Sequence, residues 1–271
     1  MAKRKKRKFT ATTADKWDLY ERSVQEPSAD IDLIDQVWRE LRGRQAHHLR
    51  EDFCGTAVNS VAWVKHRKTN TAIGVDISPD VLALAERRIT RRLKPPDRKR
   101  IRLIEADVLK VETGRVDTVV ATNFSYFTFK TRRLLKRYFR IVRDALVDDG
   151  MLLLDAYGGS DAFLEVEEPR EQDGFTYIWD QHHYNPVTGD VINYIHFKFP
   201  DGTRIKRAFT YEWRLWTLPE LRELLKEAGF KRVTVYWEGT DEETEEGDGV
   251  FTVTRTGEAC EGWIAYLAAE K

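Results

Sequence analysis

The sequence predicts an α/β protein built on a doubly wound, Rossmann-like parallel sheet that carries a β-hairpin insertion. From residue 44 onward, short apolar runs alternate with longer segments of helical period, which is typical of strand–helix–strand units. Aromatic residues are then concentrated between Asp173 and Trp216, in alternating stretches separated by the turn sequences NPVTGD and PDG. The chain is therefore expected to form a parallel sheet first and antiparallel hairpins after it.

The elements of the parallel sheet follow in order along the chain. Strands are expected near 46–51, 71–76, 100–106, 116–122 and 150–156, with helices near 56–67, 79–93 and 130–147. Ser78 is expected to cap the second of these helices, with Pro79 in its first turn, and Asp149-Gly150 to end the third. Crossover helices make such a sheet parallel, so ligands are expected at the carboxyl ends of its strands.

The remaining elements lie on either side of the hairpins. A β-rich insertion is expected over about 163–216, and a helix should follow it, with Thr217 as N-cap and Gly229 as its stop. The segments KRVTVYW and GWIAYLAAE are predicted to be the last strands. Upstream, helices near 14–24 and 30–42 are expected to form an N-terminal cap over about 14–43, so that one domain spans 14–271.

Composition excludes several classes of protein. With 271 residues, 41% of them hydrophobic and 33% charged, the chain can bury a sizeable core, which excludes wholesale disorder. Cys54 and Cys260 are too few for a disulfide framework or a four-cysteine metal site, and no metal is expected. No apolar run approaches the roughly 18 residues of a membrane span. We therefore expect a soluble, cytoplasmic protein without a membrane partner.

The charges are polarised along the sequence although they sum to zero. Residues 3–8 read KRKKRK, and acidic residues are concentrated from Glu238 to Asp248. We expect residues 1–13 to be a basic, disordered tail; a nuclear address or a transit peptide is the alternative. The rest of the chain has no large excess of either charge, so nucleic acid is expected to bind only through this tail. The oligomeric state is left open.

Polar residues end successive predicted strands. The first strand ends at Glu51 and is followed at once by a turn containing Gly55 and a helix, an arrangement that brings backbone amides to a ligand. Asp76, Asp107 and Asn123 end the next three strands. Each of them alone is as consistent with a helix cap as with a ligand contact. Together they predict a binding site along one edge of the sheet.

The runs EDFCGT, GVDIS, EADVL, VVATNFSYF and LLLDAYGG resemble the class I S-adenosylmethionine-dependent methyltransferases, roughly over residues 44 to 271. The resemblance implies a seven-stranded sheet with one antiparallel strand and a methyltransferase domain that bears the β-rich insertion as a lid. It also implies S-adenosyl-L-methionine as the cofactor. The donor is a sulfonium cation with an amine and a diol, which suits carboxylates and aromatic faces better than a pyrophosphate site.

The same resemblance assigns roles to residues of the donor site. Glu51 takes the place of the acid that opens the first motif, Gly55 keeps its central glycine, and Thr56 belongs to the same turn. Phe53 and Ala57 stand where the family usually has glycine. By position, Asp76 is implied to bind the ribose, Ile77 to lie beside the adenine, Asp107 and Val108 to face its amine and ring, and Asn123 to lie near the methionyl end.

The acceptor is expected to be a small molecule, methylated at nitrogen or oxygen. Residues over the strand ends are candidates for its binding site, namely Tyr20, Tyr126, Tyr157, Trp213 and Arg214. The alternative is that the aromatic residues form the core of the hairpin layer and that Arg214 pairs with Glu212. Methyl transfer needs alignment more than a base, and no catalytic residue is assigned.

Other readings of the sequence stay open. His182 or His183 would offer a base, but adjacent residues on a strand point in opposite directions. Cys54 is interpreted as a packing residue rather than a nucleophile. Methylation of RNA or protein, with the basic tail as a tether, is one alternative function. A non-catalytic S-adenosylmethionine-binding protein, suggested by the altered glycine turn, is another.

Overall fold

In a computed structural model of the chain, residues 10–241 and 247–271 are described. The α-helices of this part are α1 Lys16–Val24, α2 Pro27–Arg42, α3 Val58–His66, α4 Pro79–Arg92, α5 Pro95–Arg98, α6 Arg132–Ala145 and α7 Leu218–Glu227. The first six strands are β1 His48–Asp52, β2 Thr71–Asp76, β3 Ile101–Glu105, β4 Val116–Ala121, β5 Leu146–Gly158 and β6 Val166–Gln172. The others are β7 Phe175–Tyr184, β8 Asp190–Lys198, β9 Arg204–Arg214, β10 Arg232–Thr240, β11 Gly247–Thr254 and β12 Trp263–Glu270.

The main sheet has the strand order β11-β10-β12-β5-β4-β1-β2-β3 in the described part of the chain. Strands β1 to β5 are mutually parallel, and β12 runs antiparallel between β5 and β10. The predicted doubly wound fold is confirmed, but the prediction of seven strands misses β11. That strand begins inside the acidic segment, where the charges concealed its extended pattern; residues 242–246 of the segment lie outside the described residues.

Local sequence signals place the helix ends. The Ser78 hydroxyl accepts from the Val81 amide at 3.4 Å, and Thr217 and Glu220 form a reciprocal capping box at the start of α7. Gly229, whose φ is 104°, follows the end of α7. Within residues 10–241 and 247–271, no helix is both long and apolar enough to cross a membrane.

The insertion is a separate antiparallel sheet with the order β6-β7-β8-β9. The prediction recognised the last three of these strands and missed β6, whose sequence VEEPREQ contains three acids and a proline. A proline is tolerated there because β6 is an edge strand with a single hydrogen-bonded neighbour. The charged side chains also discourage pairing with another sheet at this edge.

Helix α1 packs against this second sheet rather than against the main one. Leu19 is fully buried with Phe197 in a hydrophobic cluster distinct from the two clusters of the main sheet. The expected tail lies partly outside the described residues, which begin at Thr10. Residues 10–13 form a turn instead of a disordered segment, because threonine hydroxyls bond within it and the Ala11 amide donates to Thr203 Oγ1 at 3.0 Å.

Candidate active site

The turn between β1 and α3 has left-handed backbone at alternate positions. Phe53, Gly55 and Ala57 have φ angles of 57°, 52° and 57°. This conformation costs a non-glycine residue roughly 1–2 kcal/mol, so Phe53 and Ala57 need support from their surroundings. Ala57 is fully buried, and the Phe53 ring lies 5.9 Å from Tyr138. The backbone of the turn therefore has the conformation of a glycine-rich turn, although Phe53 and Ala57 replace two of the expected glycines.

A buried ion pair supports this turn from below. Arg50 and Asp52, two residues apart on β1, form a two-pronged pair in which Arg50 Nε and Nη2 each donate to one carboxylate oxygen at 2.7 Å, and both side chains are fully buried. The Tyr138 hydroxyl donates to Asp52 Oδ2 at 2.9 Å. Because the charges neutralise each other, this pair can position Phe53 through Tyr138 without presenting charge to a ligand. The prediction did not include these residues.

Asp76 connects the glycine turn to the end of β2. Its Oδ2 accepts from the Gly55 amide and its Oδ1 from the Ser78 amide, each at 2.9 Å. The next residue, Ile77, leaves 70% of its surface exposed, which is unusual for a large aliphatic side chain. The two residues place a half-buried carboxylate beside an uncovered apolar surface.

Asp107 and Val108 follow β3 in a short turn. Asp107 Oδ1 accepts from the Leu109 amide at 2.9 Å, and Val108 is buried with 4% exposure. The Asp107 side chain thus makes the capping contact that was its alternative role. Half-buried, it still borders the same edge of the sheet as Asp76.

Glu51 is buried beneath the turn, with 4% exposure. Its Oε2 accepts from the Ser60 amide at 2.8 Å and from the Ser60 hydroxyl at 2.6 Å. Burial is the main cause that raises the pKa of Glu51 to about 7, and the neighbouring Asp30 carboxylate acts in the same direction. This side chain therefore changes charge near neutral pH.

Asn123 and Phe124 form a second strained turn, with a φ of 57° at both residues. The Asp155 carboxylate, three residues before the end of β5, accepts from the Asn123 amide at 2.6 Å and from the Phe124 amide at 2.9 Å. Burial raises the pKa of Asp155 to about 7. Asp155 was missed as a candidate site residue, although it follows the apolar run MLLL as Asp76 follows the apolar run of its own strand.

Three carboxylates meet at this edge of the sheet. Asp30, from the first turn of α2, influences the pKa values of both Glu51 and Asp155, and burial raises its own pKa. Asp30 accepts from Tyr266 and Asn59. In the described part of the chain, the partners of the three carboxylates are amides and hydroxyls, and none is lysine or arginine. Such a site favours a bound cation.

Aromatic side chains from the insertion lie opposite the Asn123 turn. The Phe124 ring lies 4.7 Å from Tyr157 and 6.4 Å from Trp213, and Tyr211 lies 4.4 Å from Trp213. Tyr20 of α1 shares a hydrogen bond with Tyr211. Three of the residues predicted to bind the acceptor, Tyr20, Tyr157 and Trp213, therefore lie in or beside one aromatic group.

The comparisons with known proteins agree with this geometry. Residues 53–145 match the model of a methyltransferase domain family. The putative methyltransferase YqeM of Bacillus subtilis (strain 168) is 25% identical over 199 residues, covering 70% of this chain and 76% of the relative. An S-adenosylmethionine-dependent methyltransferase structure from Clostridium acetobutylicum ATCC 824 has a TM-score of 0.66 at 18% identity, covering 93% of this chain and 96% of the other.

The chain has the fold of the class I methyltransferases, and residues 53–145 match a methyltransferase domain family. Two further structures are similar to it. CalS10, an amino pentose methyltransferase from Micromonospora echinaspora solved with S-adenosylmethionine, has a TM-score of 0.66 at 15% identity and covers 94% of this chain and 96% of its own. The sugar N-methyltransferase KedS8 from Streptoalloteichus sp ATCC 53650 has a TM-score of 0.63 at 21% identity, with coverage of 100% and 98%. The predicted fold is confirmed, and these similarities support the predicted family.

Two residues of this methyltransferase differ from their predicted placement. Tyr126 is fully buried, because its hydroxyl donates to the Asp155 carbonyl at 2.6 Å and its ring packs beside Phe139. Arg214 pairs with Glu220 at 2.8 Å and lies 3.9 Å above the Trp216 ring, whereas Glu212 lies near Lys130. These contacts differ from the expected pair with Glu212, and they engage the guanidinium group that was expected to bind the acceptor.

The other sequence candidates lie away from the methyltransferase's strand ends or are inert. His182 and His183 are exposed, and His183 lies 2.8 Å from Glu165 of the insertion. Burial raises the pKa of the Cys54 thiol well above its usual value, so it stays protonated and packs against the sheet.

One group on the insertion has the composition of a metal site. Glu167, Asp180 and His196 bring their ligand atoms within 4.8 Å of one another. His196 Nδ1, however, accepts from the Arg207 amide at 2.8 Å, which leaves the ring proton on Nε2, directed at Asp180 at 3.0 Å. A histidine that ligates a metal through one ring nitrogen usually donates a hydrogen bond through the other, whereas here Nδ1 accepts one. This geometry therefore favours a structural hydrogen bond between His196 and Asp180 over a metal site.

Proposed function

We propose that this protein is an S-adenosylmethionine-dependent methyltransferase that methylates a nitrogen atom of a small molecule. The observation that carries the proposal is the group of carboxylates beside the glycine-like turn, Glu51, Asp30 and Asp155, which has no lysine or arginine partner among the described residues. The donor has a sulfonium and an ammonium group, and these carboxylates would offset both. The solved relatives include structures with this donor bound.

The remaining donor contacts would come from the ends of β2, β3 and β4. Asp76 would accept from the ribose hydroxyls, since each carboxylate oxygen has a lone pair beyond the one that its amide contact uses. The exposed Ile77 side chain would cover one face of the adenine, with Asp107 and Val108 near its edge. Phe53, Gly55 and Thr56 would line the turn, and Asn123 would lie at the methionyl end.

The titratable groups of the site favour an amine acceptor over a hydroxyl. Burial raises the pKa of Tyr20 and of Tyr157 to about 12, so neither phenol acts as a base at neutral pH. An amine attacks once it is in its neutral form, whereas a hydroxyl usually needs a base, which these two phenols do not supply. The donor would supply the methyl group. The aromatic residues would exclude water and hold the amine in line with the bond between the methyl group and the sulfur.

The names of two similar structures support one class of acceptor. CalS10 is an amino pentose methyltransferase and KedS8 a sugar N-methyltransferase. An amino sugar is therefore the first acceptor class to test, because aromatic faces such as Trp179 and Tyr211 suit the apolar side of a sugar ring. These rings lie 5.9 Å apart in the insertion.

Calorimetry and a product screen test the proposal in two steps. S-adenosylmethionine and its demethylated product should bind, and a nicotinamide dinucleotide should not; the reverse result would refute the donor assignment. Purified enzyme with labelled donor should then label amino sugars or other small amines, whereas the matching hydroxyl compounds should stay unlabelled. Label found only in the hydroxyl compounds, or in RNA or protein, would contradict the acceptor class.

A further inference from the structure

Helix α1 connects the insertion to the main sheet, and its two faces make different contacts. On one face, Trp17 and Tyr20 each place their rings 4.9 Å from Phe209 of β9. Lys16 Nζ also donates to the Ala208 carbonyl at 3.1 Å. This face fixes α1 to the insertion, so that a movement of the insertion would carry the helix with it.

The other face of α1 is acidic and meets α4. Arg88, with 5% of its side chain exposed, donates to Asp18 at 2.6 Å and also pairs with Glu21. Arg92 donates to the second oxygen of Glu21 at 2.7 Å. The side chain of Glu21 is only 11% exposed, so water weakens this group of charges less than it weakens a surface salt bridge.

Glu21 has a third partner in the glycine turn itself. The Thr56 hydroxyl, on a residue with 3% exposure, donates to Glu21 Oε1 at 2.5 Å. Because its proton is directed to Glu21, this hydroxyl has only lone pairs to offer a ligand. It is therefore an acceptor, ready for an N–H or O–H group of a molecule that binds at the turn.

We propose that Glu21 is a positioning residue: it orients Thr56 and couples the fit of the insertion over the site to donor binding. Arg88 and Arg92 hold the Glu21 carboxylate, and Glu21 in turn holds the Thr56 hydroxyl. When α1 moves away with the insertion, Thr56 loses its orientation and the donor loses an acceptor. This inference rests on the proposed function for the identity of the donor. The contact between α1 and the turn is independent of that function.

A double-mutant cycle tests whether Glu21 acts through Thr56. Glu21→Gln removes the charge and Thr56→Val removes the hydroxyl, and each should weaken S-adenosylmethionine binding by about tenfold, the size of one charge-assisted hydrogen bond. The double variant should lose about as much as either single variant, because both remove the same contact. Glu86→Gln, which removes an exposed carboxylate from α4, is the control and should bind like the wild type.

Additive losses in the cycle, or donor affinities unchanged in Glu21→Gln, would overturn the proposal. Melting curves of each variant establish that the protein is folded. Should Glu21→Gln fail to fold, Thr56→Val still decides between the outcomes: unchanged affinity would refute the role of this hydroxyl, and a tenfold loss would support it.

Hydrogen exchange without any donor separates this inference from the proposed function. In Glu21→Gln, amides of α1 and of residues 53–58 should exchange faster than in the wild type, whereas Glu86→Gln should leave both unchanged. If both segments exchange faster in Glu21→Gln but the wild type does not bind the donor, the proposed function is refuted and the link between α1 and the turn is supported. Unchanged exchange at residues 53–58 would refute the link whatever the donor measurement shows.

Discussion

Donor binding should release protons from the buried carboxylates, and its affinity should therefore rise between pH 6 and pH 8. Without ligand, Glu51 has a pKa of about 7 because it is buried, against an ordinary value of 4.5. A cation bound beside it favours the charged form and returns the pKa toward that ordinary value. Below pH 7 donor binding must displace a proton from the Glu51 carboxyl group, which weakens the affinity. Above pH 7 the carboxylate is already charged.

The magnitude follows from the two pKa values. If binding lowers the pKa of Glu51 from about 7 to 4.5, affinity rises by about tenfold from pH 6 to pH 8, with about half a proton released at pH 7. Asp155, whose pKa is also about 7, would add a similar factor if it meets the same cation. The combined rise is then as much as about a hundredfold.

Calorimetry in two buffers of different ionisation enthalpy measures both quantities at pH 6, 7 and 8. The matched control is Glu51→Gln, which keeps the size of the side chain but does not titrate. The ratio of its donor affinities at pH 8 and pH 6 should be about one tenth of the wild-type ratio. Titration of the donor's own amine affects both proteins equally and therefore cancels from this comparison. Equal proton release in both proteins would refute the role given to Glu51.

Other predictions concern the two turns, the insertion and stability. Asp76→Ala should weaken donor binding by at least about 1 kcal/mol in calorimetry, because two ribose hydroxyls lose a charged acceptor; unchanged affinity would place the ribose elsewhere. Gly55→Ala should lower the free energy of unfolding by about 1 kcal/mol through its φ of +52° alone, since an added Cβ has no atom within 4 Å; a denaturant titration checks it, and a much larger loss would mean that the turn is tighter than described. Arg214→Ala should lower the melting temperature but change the acceptor's KM less than threefold, because its partners are Glu220 and Trp216; a large rise in KM would restore its substrate role. Without donor, the folded state binds a proton at Glu51 more tightly than the unfolded chain between pH 4.5 and about 7, so unfolding free energy should fall by about 3 kcal/mol across that range, and by less in Glu51→Gln. Denaturant titrations at several pH values would contradict this if both proteins behaved alike.

The sequence was informative where one physical signal dominated. Ser78 with Pro79, and Thr217 with Glu220, begin helices where predicted, because capping depends on residues only a few positions apart. The polar ends of the strands were visible for a similar reason, since each follows an apolar run. Strand β6 was missed because its charges and Pro169 contradict the usual strand pattern, and an edge strand tolerates both.

The candidate site depended more on contacts between distant segments. Phe53 and Ala57 suggested an altered turn, yet both keep left-handed backbone over the buried Arg50–Asp52 pair, a support that turn residues alone do not reveal. Tyr126 and Arg214 were chosen for their chemistry and position. Their hydroxyl and guanidinium groups are instead bonded to Asp155 and Glu220, and only packing decides which face of a side chain remains open.

The sequence by itself determined the order of most elements and indicated the edge of the sheet where the candidate site lies. These follow from periodicity, caps and polar strand ends, all of which act over short distances along the chain. Only the tertiary structure showed that Asp30, Glu51 and Asp155 converge, and that Glu21 reaches Thr56 across 35 positions of sequence. The physical reason is that burial and charge–charge proximity set these properties, and both depend on how distant segments pack.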